Sequence, residues 1–433
     1  MGLAGPRRSG RGRSPRSPRS SSAGGRHCSR RSSPTPGGCG SRSSSFRPRS
    51  PPFAAGRTEA PALLEPPRPA PSNIPFIEAE LRLEPYALVG VISPWNFPLL
   101  LALIDAIPAL AAGSAVLVKP SELTLRFLEP LTAALAELPP LAAVLDFARG
   151  GPETGAALLE QVDLLCFTGS VATGRTVGEA CMRRLIPCFL ELGGKDPALV
   201  FADADLPRAA RAIAWGGLVN AGQSCMSIER VYVEAEAYEP FLAALVGEVQ
   251  RLRLNDEDPA RGEIGPIIAE RQVAVIEAQL EDAYARGARA LTGGRIVERH
   301  GGLWCEPTVL VEVDHGMRIL REETFGPILP VMPFASEEEA ILLANDSDYG
   351  LSAAVFSADP ERAERVAARL RGGGDLDQRR RPHQPRAQRR RRPAARPRAS
   401  EARAWAPPRS CVSCGARPCS AIPGVEDPWW FPR

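Results

Sequence analysis

Short apolar runs alternate with helix-length segments between residues 88 and 184, and this alternation limits the possible folds more than any other feature. Strands that alternate with helices in this way favour a parallel sheet with helices on both faces. We therefore predict a parallel-sheet α/β domain over residues 73–191. Its strands are expected at Leu88–Ile92, 114–118, 141–147 and 163–167, and its helices at 97–112, 122–138, 152–161 and 171–184.

The pattern continues in a second unit, which we place at residues 192–373. Its last predicted helix ends at Gly287, a residue that suits a left-handed helix C-cap. Strands are expected at 198–201, 230–233, 308–311 and 353–356, and helices at 206–220, 238–252 and 269–287. The predicted fold class is therefore α/β, with two α/β domains.

The two ends of the chain differ in composition from its middle. Residues 1–50 contain twelve Arg, fourteen Ser and no Asp or Glu, and residues 375–433 contain fourteen Arg against five acidic residues. Such segments cannot bury enough apolar surface to offset the entropy of ordering them. We expect residues 1–72 and 374–433 to be disordered basic tails.

The apolar stretches and the cysteines bear on where the protein works. No run of 18 or more apolar residues is present, so no membrane span is predicted, and the Arg-rich start lacks the apolar stretch of a secretory signal. The cysteines in the middle of the chain stand alone, without the spacing of metal ligands. We expect a cytoplasmic protein with reduced thiols and no metal site.

Lysine is almost absent from this chain. Of the 53 Lys and Arg residues, only Lys119 and Lys195 are Lys. An ammonium is a compact donor on a flexible stem, whereas a guanidinium is a wide planar fork. The two Lys residues could mark places where Arg does not fit, or they could be surface residues kept by chance.

A cysteine at a Gly-containing turn, Asn220-Ala-Gly-Gln-Ser-Cys225, is the first candidate for chemistry. A Cys in a loop is a candidate nucleophile, whereas a Cys in an apolar strand, such as Cys166, usually belongs to the core. A thiol nucleophile needs a base or a neighbour that lowers its pKa. None of the four His residues lies near a candidate site, but Glu191-Leu-Gly-Gly-Lys195 places a carboxylate at a strand end. Glu191 is a candidate general base or a solvated surface residue.

Other segments contain groups that could bind a charged ligand. Val118-Lys-Pro-Ser-Glu122 and Phe167-Thr-Gly-Ser170 each lie between a predicted strand and a helix, where an anion or a ribose could bind. The second segment is equally typical of a tight turn with an N-cap Ser. Asn96, between two Pro residues, could donate to an oxyanion or form an Asx-turn. Glu322-Glu-Thr-Phe-Gly-Pro327 could hold a sugar and a ring, or it is a turn.

Together and in this order, these segments resemble the aldehyde dehydrogenase superfamily. The resemblance covers residues 73–373 and includes both Lys residues, which weakens the interpretation that they are surface residues. It implies a Rossmann-type parallel-sheet cofactor domain and an α/β catalytic domain. The matching stretches are Pro94-Trp-Asn-Phe-Pro98, Lys119-Pro-Ser-Glu122, Phe167-Thr-Gly-Ser170, Glu191-Leu-Gly-Gly-Lys195, Gly222-Gln-Ser-Cys225 and Glu323-Thr-Phe-Gly-Pro327.

The resemblance implies a role for each matching residue in the oxidation of an aldehyde by NAD(P). Cys225, as a thiolate of low pKa, would form a thiohemiacetal and then a thioester. Asn96 and the backbone N–H of Cys225 would hold the oxyanion, and Glu191 would activate the hydrolytic water. NAD is expected to be preferred over NADP, because Glu122 would face the adenosine ribose. The expected cofactor-binding residues are Trp95, Lys119, Glu122, Gly169, Ser170, Glu323 and Phe325.

The sequence departs from the family pattern at both ends. After Gly373 the family continues with an Asn-Asp segment and a C-terminal strand that pairs across subunits, so we expect a family-like homo-oligomer to be compromised here. Codons for Gly374-Asp-Leu-Asp-Gln-Arg-Arg380, shifted by one base, can encode Ala-Thr-Ser-Thr-Asn-Asp. We therefore hypothesise that the reading frame slips near residues 372–374.

Three alternatives to an active aldehyde dehydrogenase remain open at this point. The chain could be a truncated, inactive relative with the same core. It could bind nucleic acid through its Arg-rich tails, although these lack interleaved aromatic residues, so no specific nucleic acid is expected. A Cys–His thiol hydrolase is disfavoured, because no His lies in a candidate site. The sequence does not identify the aldehyde.

Overall fold

The structure, a computed structural model, describes residues 60–66, 69–71, 78–80, 82–257 and 262–372. Most of the predicted 1–72 tail, the whole predicted 374–433 tail and the hypothetical frameshift therefore lie outside the described residues. Within the described part, the parallel-sheet α/β fold expected from the sequence is confirmed.

The first part of the fold is a five-stranded, fully parallel sheet in the order β5-β4-β3-β6-β7. A separate pair, β1 and β2, precedes it. The strands are β1 Ala70–Pro71, β2 Glu78–Ala79, β3 Leu88–Ile92, β4 Ala115–Lys119, β5 Leu145–Phe147, β6 Leu164–Thr168 and β7 Cys188–Glu191. The helices are α1 Pro98–Leu103, α2 Ala106–Ala111, α3 Leu128–Ala136, α4 Pro139–Ala142, α5 Pro152–Leu159 and α6 Val171–Arg183, with a 3₁₀ turn at Leu125–Phe127.

The second part is a six-stranded sheet in the order β10-β13-β14-β9-β8-β15, in which only β10 is antiparallel to its neighbour. A hairpin of β11 and β12 lies outside this sheet. The strands are β8 Asp196–Val200, β9 Ile228–Glu234, β10 Arg289–Ala290, β11 Ile296–Arg299, β12 Gly302–Cys305, β13 Thr308–Val311, β14 Ile328–Phe334 and β15 Ala354–Phe356. The helices are α7 Leu206–Leu218, α8 Tyr238–Gln250, α9 Glu270–Ala285, α10 Arg318–Arg321, α11 Glu337–Asn345 and α12 Pro360–Ala367, with 3₁₀ turns at Val219–Gly222 and Ala235–Ala237.

Proline explains two differences between the expected and the observed elements. The helix expected at 97–112 is split into α1 and α2, because Pro108 has no N–H to donate to the carbonyl of Ile104. The strand expected at 141–147 is shortened to β5, because Pro139 begins the short helix α4, where a missing N–H costs nothing.

The order of the first sheet creates a place for a ligand. The chain runs from β3 outward to β4 and β5, and then returns to the other side of β3 for β6 and β7. In open parallel sheets, ligands bind outside the carboxyl ends of the strands where the order reverses. Here that point lies between β3 and β6. None of the helices that the structure describes has the length and apolarity needed to cross a membrane.

Gly90, in the middle of the central strand β3, provides a test of how tightly this sheet is packed. A Cβ at Gly90 would lie 2.9 Å from the side chains of both Leu158 and Leu165. We expect Gly90→Ala to lower the free energy of unfolding by about 1–3 kcal/mol, because overpacking forces the neighbours to shift. The midpoint of urea unfolding measures this change.

Gly247 is the matched control for the same substitution. It lies within α8, and a Cβ there would meet nothing within 4 Å. Gly247→Ala should raise stability by about 0.5–1 kcal/mol, since Ala loses less entropy than Gly in a helix. Equal midpoints for Gly90→Ala and the wild type would contradict tight packing at β3.

Candidate active site

Four of the segments singled out in the sequence meet at the carboxyl edge of the first sheet. Ser93, which follows β3, donates its N–H to the carbonyl of Lys119 at 3.1 Å, so the Pro94–Pro98 segment lies beside the end of β4. Gly169, which follows β6, donates its N–H to the carbonyl of Glu191 at 2.9 Å, at the end of β7. Parallel register brings these groups together, because all four strands end on the same side.

Lys119 and Glu122 form an ion pair at this edge. The two side chains are 2.9 Å apart, and the ammonium is buried whereas the carboxylate is half exposed. The hydrogen bond from Lys119 holds the pKa of Glu122 below its usual range. The expectation that Glu122 begins a helix was wrong. Ser121 accepts the N–H of Leu123 and so makes a turn, and helical structure starts only at Leu125–Phe127.

Gly169 and Ser170 lie between β6 and the N-terminus of α6. The Ser170 hydroxyl accepts the N–H of Thr173 at 3.3 Å, which makes it the N-cap of this 13-residue helix. The first N–H groups of a helix have no partner within the helix and give this end a partial positive charge. The N-cap alternative is therefore present in the structure, and an anion site at the same place remains compatible with it.

The Cys225 loop begins with backbone in the left-handed region. Asn220, Ala221 and Gly222 have φ values of 54°, 55° and 69°. A Cβ at Gly222 would collide with the carbonyl of Gly326, so only Gly fits there. Left-handed Ala is uncommon and persists only where its surroundings fix it.

Gln223 supplies part of that fixation, although the sequence analysis did not identify it. Its buried side chain donates to the carbonyl of Pro266 at 3.2 Å and accepts the N–H of Ile268 at 2.8 Å. The loop is thereby joined to the segment that precedes α9.

The Cys225 thiol is partly exposed, but its surroundings raise its pKa to about 11. Burial is the largest cause, followed by the carboxylates of Asp196 and Glu323. The backbone N–H groups of Cys225 and Met226 oppose this shift. The low-pKa thiolate expected from the sequence was therefore wrong for the protein without a ligand, because two carboxylates and burial outweigh two N–H donors.

Asn96 is brought to the Cys225 loop by hydrogen bonds in both directions. Its side-chain Nδ2 donates to the carbonyl of Gln223 at 3.0 Å, and Asn220 Nδ2 donates to the carbonyl of Asn96 at 3.0 Å. Asn96 Oδ1 and Ser93 Oγ are buried without a hydrogen-bond partner. Unpaired buried polar atoms are rare in folded proteins. This segment therefore has hydrogen-bonding capacity that the protein's own contacts leave unfilled.

Two glycines allow Glu323 and Cys225 to approach the same turn. A Cβ at Gly193 would lie 2.5 Å from the Glu323 carboxylate, and the N–H of Gly194 donates to Glu323 Oε1 at 3.1 Å. A Cβ at Gly194 would collide with the carbonyl oxygen of Cys225. Burial raises the pKa of Glu323 to about 8. The segments containing Glu191, Cys225 and Glu323 therefore converge on one glycine pair.

Aromatic rings border this turn. Trp95 and Phe325 contact each other edge to face, with ring centroids 5.3 Å apart. Phe325 has φ of 51°, and its N–H donates to Glu229 at 2.8 Å. The Pro94–Pro98 segment and the Glu323 segment thus meet through their rings.

A buried ion pair, which the sequence analysis did not identify as a pair, lies beneath the site. Lys195 Nζ is 2.7 Å from Glu229 Oε2 and 2.8 Å from Thr324 Oγ1, and both side chains of the pair are almost fully buried. Glu229 also accepts the backbone N–H of Thr324. Burial lowers the pKa of Lys195, and the Glu229 carboxylate opposes this. The scarcity of Lys indicated Lys195, and a Glu-Arg pair within the apolar strand β9 was the available signal for Glu229.

The sequence and the fold are both similar to those of known proteins. The sequence model of the aldehyde dehydrogenase family matches residues 64–375. A relative from Mycolicibacterium smegmatis, whose name specifies succinate semialdehyde and NADP(+), is 43% identical and aligns with 67% of this chain. The chain spans a little over half, 56%, of the length of that curated relative.

Solved structures show the same likeness. A protein from Anabaena variabilis, named provisionally as an aldehyde dehydrogenase, is 53% identical with a TM-score of 0.72, over 74% of this chain and 69% of that one. A betaine aldehyde dehydrogenase from Staphylococcus aureus, solved in complex with NAD+, is 36% identical with a TM-score of 0.67, over 71% of this chain and 62% of that one.

The buried Lys195–Glu229 pair should be essential for stability. Glu229→Gln leaves the Lys195 ammonium buried without its counter-charge, and we expect a loss of about 3–5 kcal/mol in the free energy of unfolding, measured by urea denaturation. Lys195→Met combined with Glu229→Met should cost less than the sum of the two single changes, because it leaves no unpaired charge.

An exposed ion pair provides the control for this prediction. Arg318 and Glu322 are 2.9 Å apart on the surface, and Glu322→Gln should leave the unfolding midpoint nearly unchanged. If Glu229→Gln lowered the free energy of unfolding no more than Glu322→Gln does, the buried pair would not be essential for stability.

Proposed function

Because the chain belongs to the aldehyde dehydrogenase family, we propose that it oxidises an aldehyde to a carboxylic acid with reduction of NAD or NADP, and that Cys225 is the nucleophile. The observation that carries this proposal is the convergence of the Asn96, Glu191, Cys225 and Glu323 segments around one turn. A small-molecule aldehyde is the partner, and its identity is left to a panel of aliphatic, aromatic and semialdehyde substrates.

The first step is addition of the Cys225 thiol to the aldehyde. Sγ bonds to the carbonyl carbon, the thiol proton passes by way of the candidate general base Glu191 to solvent, and negative charge develops on the carbonyl oxygen. Asn96 Nδ2 has two N–H bonds, and its position beside the Cys225 loop suits donation of one of them to this oxygen. The backbone N–H of Cys225 is the second donor. Fixed donors of this kind contribute more in the charged transition state than in the ground state.

The residues at the carboxyl edge of the first sheet fit a dinucleotide. The Ser170 cap leaves helix N–H groups for a diphosphate, and the Lys119–Glu122 pair offers a donor and an acceptor for a ribose. Ser93 Oγ, buried and unpartnered, lies in the segment next to Lys119. Trp95, Gly169, Glu323 and Phe325 complete the set that we assign to the cofactor, with Glu323 as an acceptor for the second ribose. When bound, NAD(P) supplies the acceptor for the hydride that leaves the thiohemiacetal carbon.

Glu191 completes the reaction by removing a proton from water. The loss of hydride leaves a thioester on Cys225, which must be hydrolysed before the next turnover. Glu191 ends β7, two residues before the glycine pair that contacts Glu323 and Cys225. A carboxylate at this position can take the proton of a water that attacks the thioester carbon, and Cys225 then leaves with a proton.

A reducing compartment suits this chemistry. The cysteines that the structure describes form no disulfide, and a thiol nucleophile is lost on oxidation. We therefore propose the cytoplasm as the place of action.

The assignment of the nucleophile can be tested directly. Cys225→Ala should abolish NADH production and esterase activity while leaving dinucleotide binding nearly unchanged, because only the reacting atom is removed. Cys166→Ala is the control, since Cys166 is buried in β6 and should cost packing energy alone. Activity that survived in Cys225→Ala would remove Cys225 from its role. A wild-type chain that binds NADH but oxidises no aldehyde would instead favour the inactive relative.

The choice between NAD and NADP should depend on Glu122. Its carboxylate is charged and would face the 2′-phosphate of NADP within about 4 Å, which costs roughly 1 kcal/mol per charge pair in water and more where water is excluded. We propose that NAD is preferred by about tenfold or more in kcat/KM. Glu122→Gln should narrow the ratio, because it removes the repulsion but keeps the size of the side chain.

Measurement of kcat/KM with both cofactors checks this prediction. Glu129→Gln serves as the control, because Glu129 is an exposed carboxylate in the first turn of the next helix, α3. A wild-type preference for NADP, or an unchanged ratio in Glu122→Gln, would show that Glu122 does not set the choice.

A further inference from the structure

Asp196, the first residue of β8, is a buried carboxylate whose two oxygens bind the same residue. Oδ1 accepts the backbone N–H of Ser352 at 3.0 Å, and Oδ2 accepts the Ser352 hydroxyl. Asp196 is only 2% exposed. A buried carboxylate needs hydrogen-bond donors, and Ser352 provides both of those seen here. The two bonds fix the geometry between β8 and the segment before β15, and we call this contact the joint.

This joint lies directly behind the nucleophile. A Cβ at Gly194 would lie 3.0 Å from Asp196 Oδ1 and 3.3 Å from the Cβ of Leu351, and it would collide with the carbonyl oxygen of Cys225. Asp196, Gly194 and the Cys225 backbone are therefore successive neighbours. Leu351, the neighbour of Ser352, also lies against Gly194.

The same segment reaches Glu323. Burial and the nearby carboxylate of Glu323 raise the pKa of Tyr349, and Glu323 in turn accepts the N–H of Gly194. Residues 349–352 are thus bonded to Asp196 at Ser352 and lie against Gly194 at Leu351, and Gly194 donates to Glu323. The position of residues 349–352 therefore bears on Gly194, which contacts both Glu323 and the Cys225 carbonyl.

We propose that Asp196 is a positioning residue for the reaction, which holds residues 349–352 against Gly194 and thereby fixes Glu323 and the Cys225 loop relative to each other. This inference rests on the proposed function, since Glu323 and Cys225 are placed there in the cofactor site and the catalytic site. Asp196 is almost fully buried, so we place its action on its protein neighbours and not on a substrate or cofactor.

Burial raises the pKa of Asp196 to about 7, so above this pH its side chain is charged and gives the joint a measurable signature. After burial, Asp196 is the largest cause of the raised pKa of Cys225, ahead of Glu323. The charged groups that act on Asp196 itself are Glu229 and Arg230 of β9. Removal of the charge at Asp196 should therefore lower the pKa of Cys225, whereas a purely structural residue would leave the acidity of this thiol alone.

The same pair of strands provides a matched control. Just beyond the far ends of β8 and β15, the Ser357 hydroxyl donates to Asp203 Oδ2 at 2.9 Å. Ser352→Ala removes the hydroxyl that donates to Asp196 at the start of β8. Ser357→Ala removes the hydroxyl that donates to Asp203 just after the end of β8. Only the first lies behind Cys225.

The experiment uses the full chain and two readouts that need no turnover. The first is NADH affinity, measured by fluorescence titration. The second is the rate of Cys225 alkylation by iodoacetamide as a function of pH, with the modified residue identified by mass spectrometry. Asp196→Asn should move the alkylation profile to lower pH. Below the pKa, a tenfold increase in the acid dissociation constant of the thiol should raise the rate at a fixed pH by roughly three- to fourfold, because a more acidic thiolate is also a weaker nucleophile.

The two Ser variants separate the joint from general packing. Ser352→Ala should weaken NADH binding by roughly tenfold, the scale of one charge-assisted hydrogen bond, because Glu323 is then held less firmly. Ser357→Ala should leave both the NADH affinity and the alkylation profile unchanged.

Two results would overturn the proposal. One is an Asp196→Asn profile that superimposes on the wild type, and the other is NADH affinity in Ser352→Ala equal to that in Ser357→Ala. Should Asp196→Asn not fold, as judged by circular dichroism, the comparison of the two Ser variants decides alone. A wild type that is alkylated at Cys225 but neither binds NADH nor oxidises aldehydes would reject the proposed function. In that case the alkylation profile of Asp196→Asn would still show whether Asp196 acts on Cys225.

Discussion

The site depends on one buried ion pair. Lys195 and Glu229 neutralise each other's charge in a place that water does not reach. Glu229 also accepts the backbone N–H groups of Thr324 and Phe325. The pair therefore joins the end of the Glu191 segment, the strand that follows Cys225 and the segment containing Glu323. An arrangement that places a thiol, a carboxylate and an aromatic ring needs such a fixed support, because none of these groups is positioned by its own loop alone.

Close backbone approach is the second constraint. Gly193 makes room for the Glu323 carboxylate, Gly194 for the Cys225 carbonyl, and Gly222 for the carbonyl of Gly326. At each of these positions a methyl group would displace a partner that belongs to a different segment. The three motifs are therefore interlocked through their main chains, and the chemistry of their side chains follows from that fit.

The sequence predicted those strands and helices whose signal lies within the element itself. The bounds of β3 and β13 agree with the sequence, and the parallel sheet follows from the alternation of strands and helices. The sequence did not predict β14, because Pro330 and Pro333 argue against a strand in the middle of a sheet. The roles of Gln223, Glu229 and Asp196 were also missed, since each depends on a partner more than thirty residues away in the chain. The acidity of Cys225 was also misjudged, because burial and the carboxylates of Asp196 and Glu323, which lie in other segments of the chain, raise its pKa.

The distances along the chain between these partners have a consequence for the order of assembly. Thr324 is 95 residues from Glu229 and 129 from Lys195, whereas the first sheet is complete by Glu191. Contacts between residues far apart in sequence form late, because long loops must close first. On a ribosome the residues up to Glu191 emerge before the rest of the site, and the first sheet can fold while the Cys225 loop still lacks its partners. Cys225 then acquires its full surroundings only after residues 323–325 and 349–352 have been synthesised and docked, so its loop matures later than the first sheet.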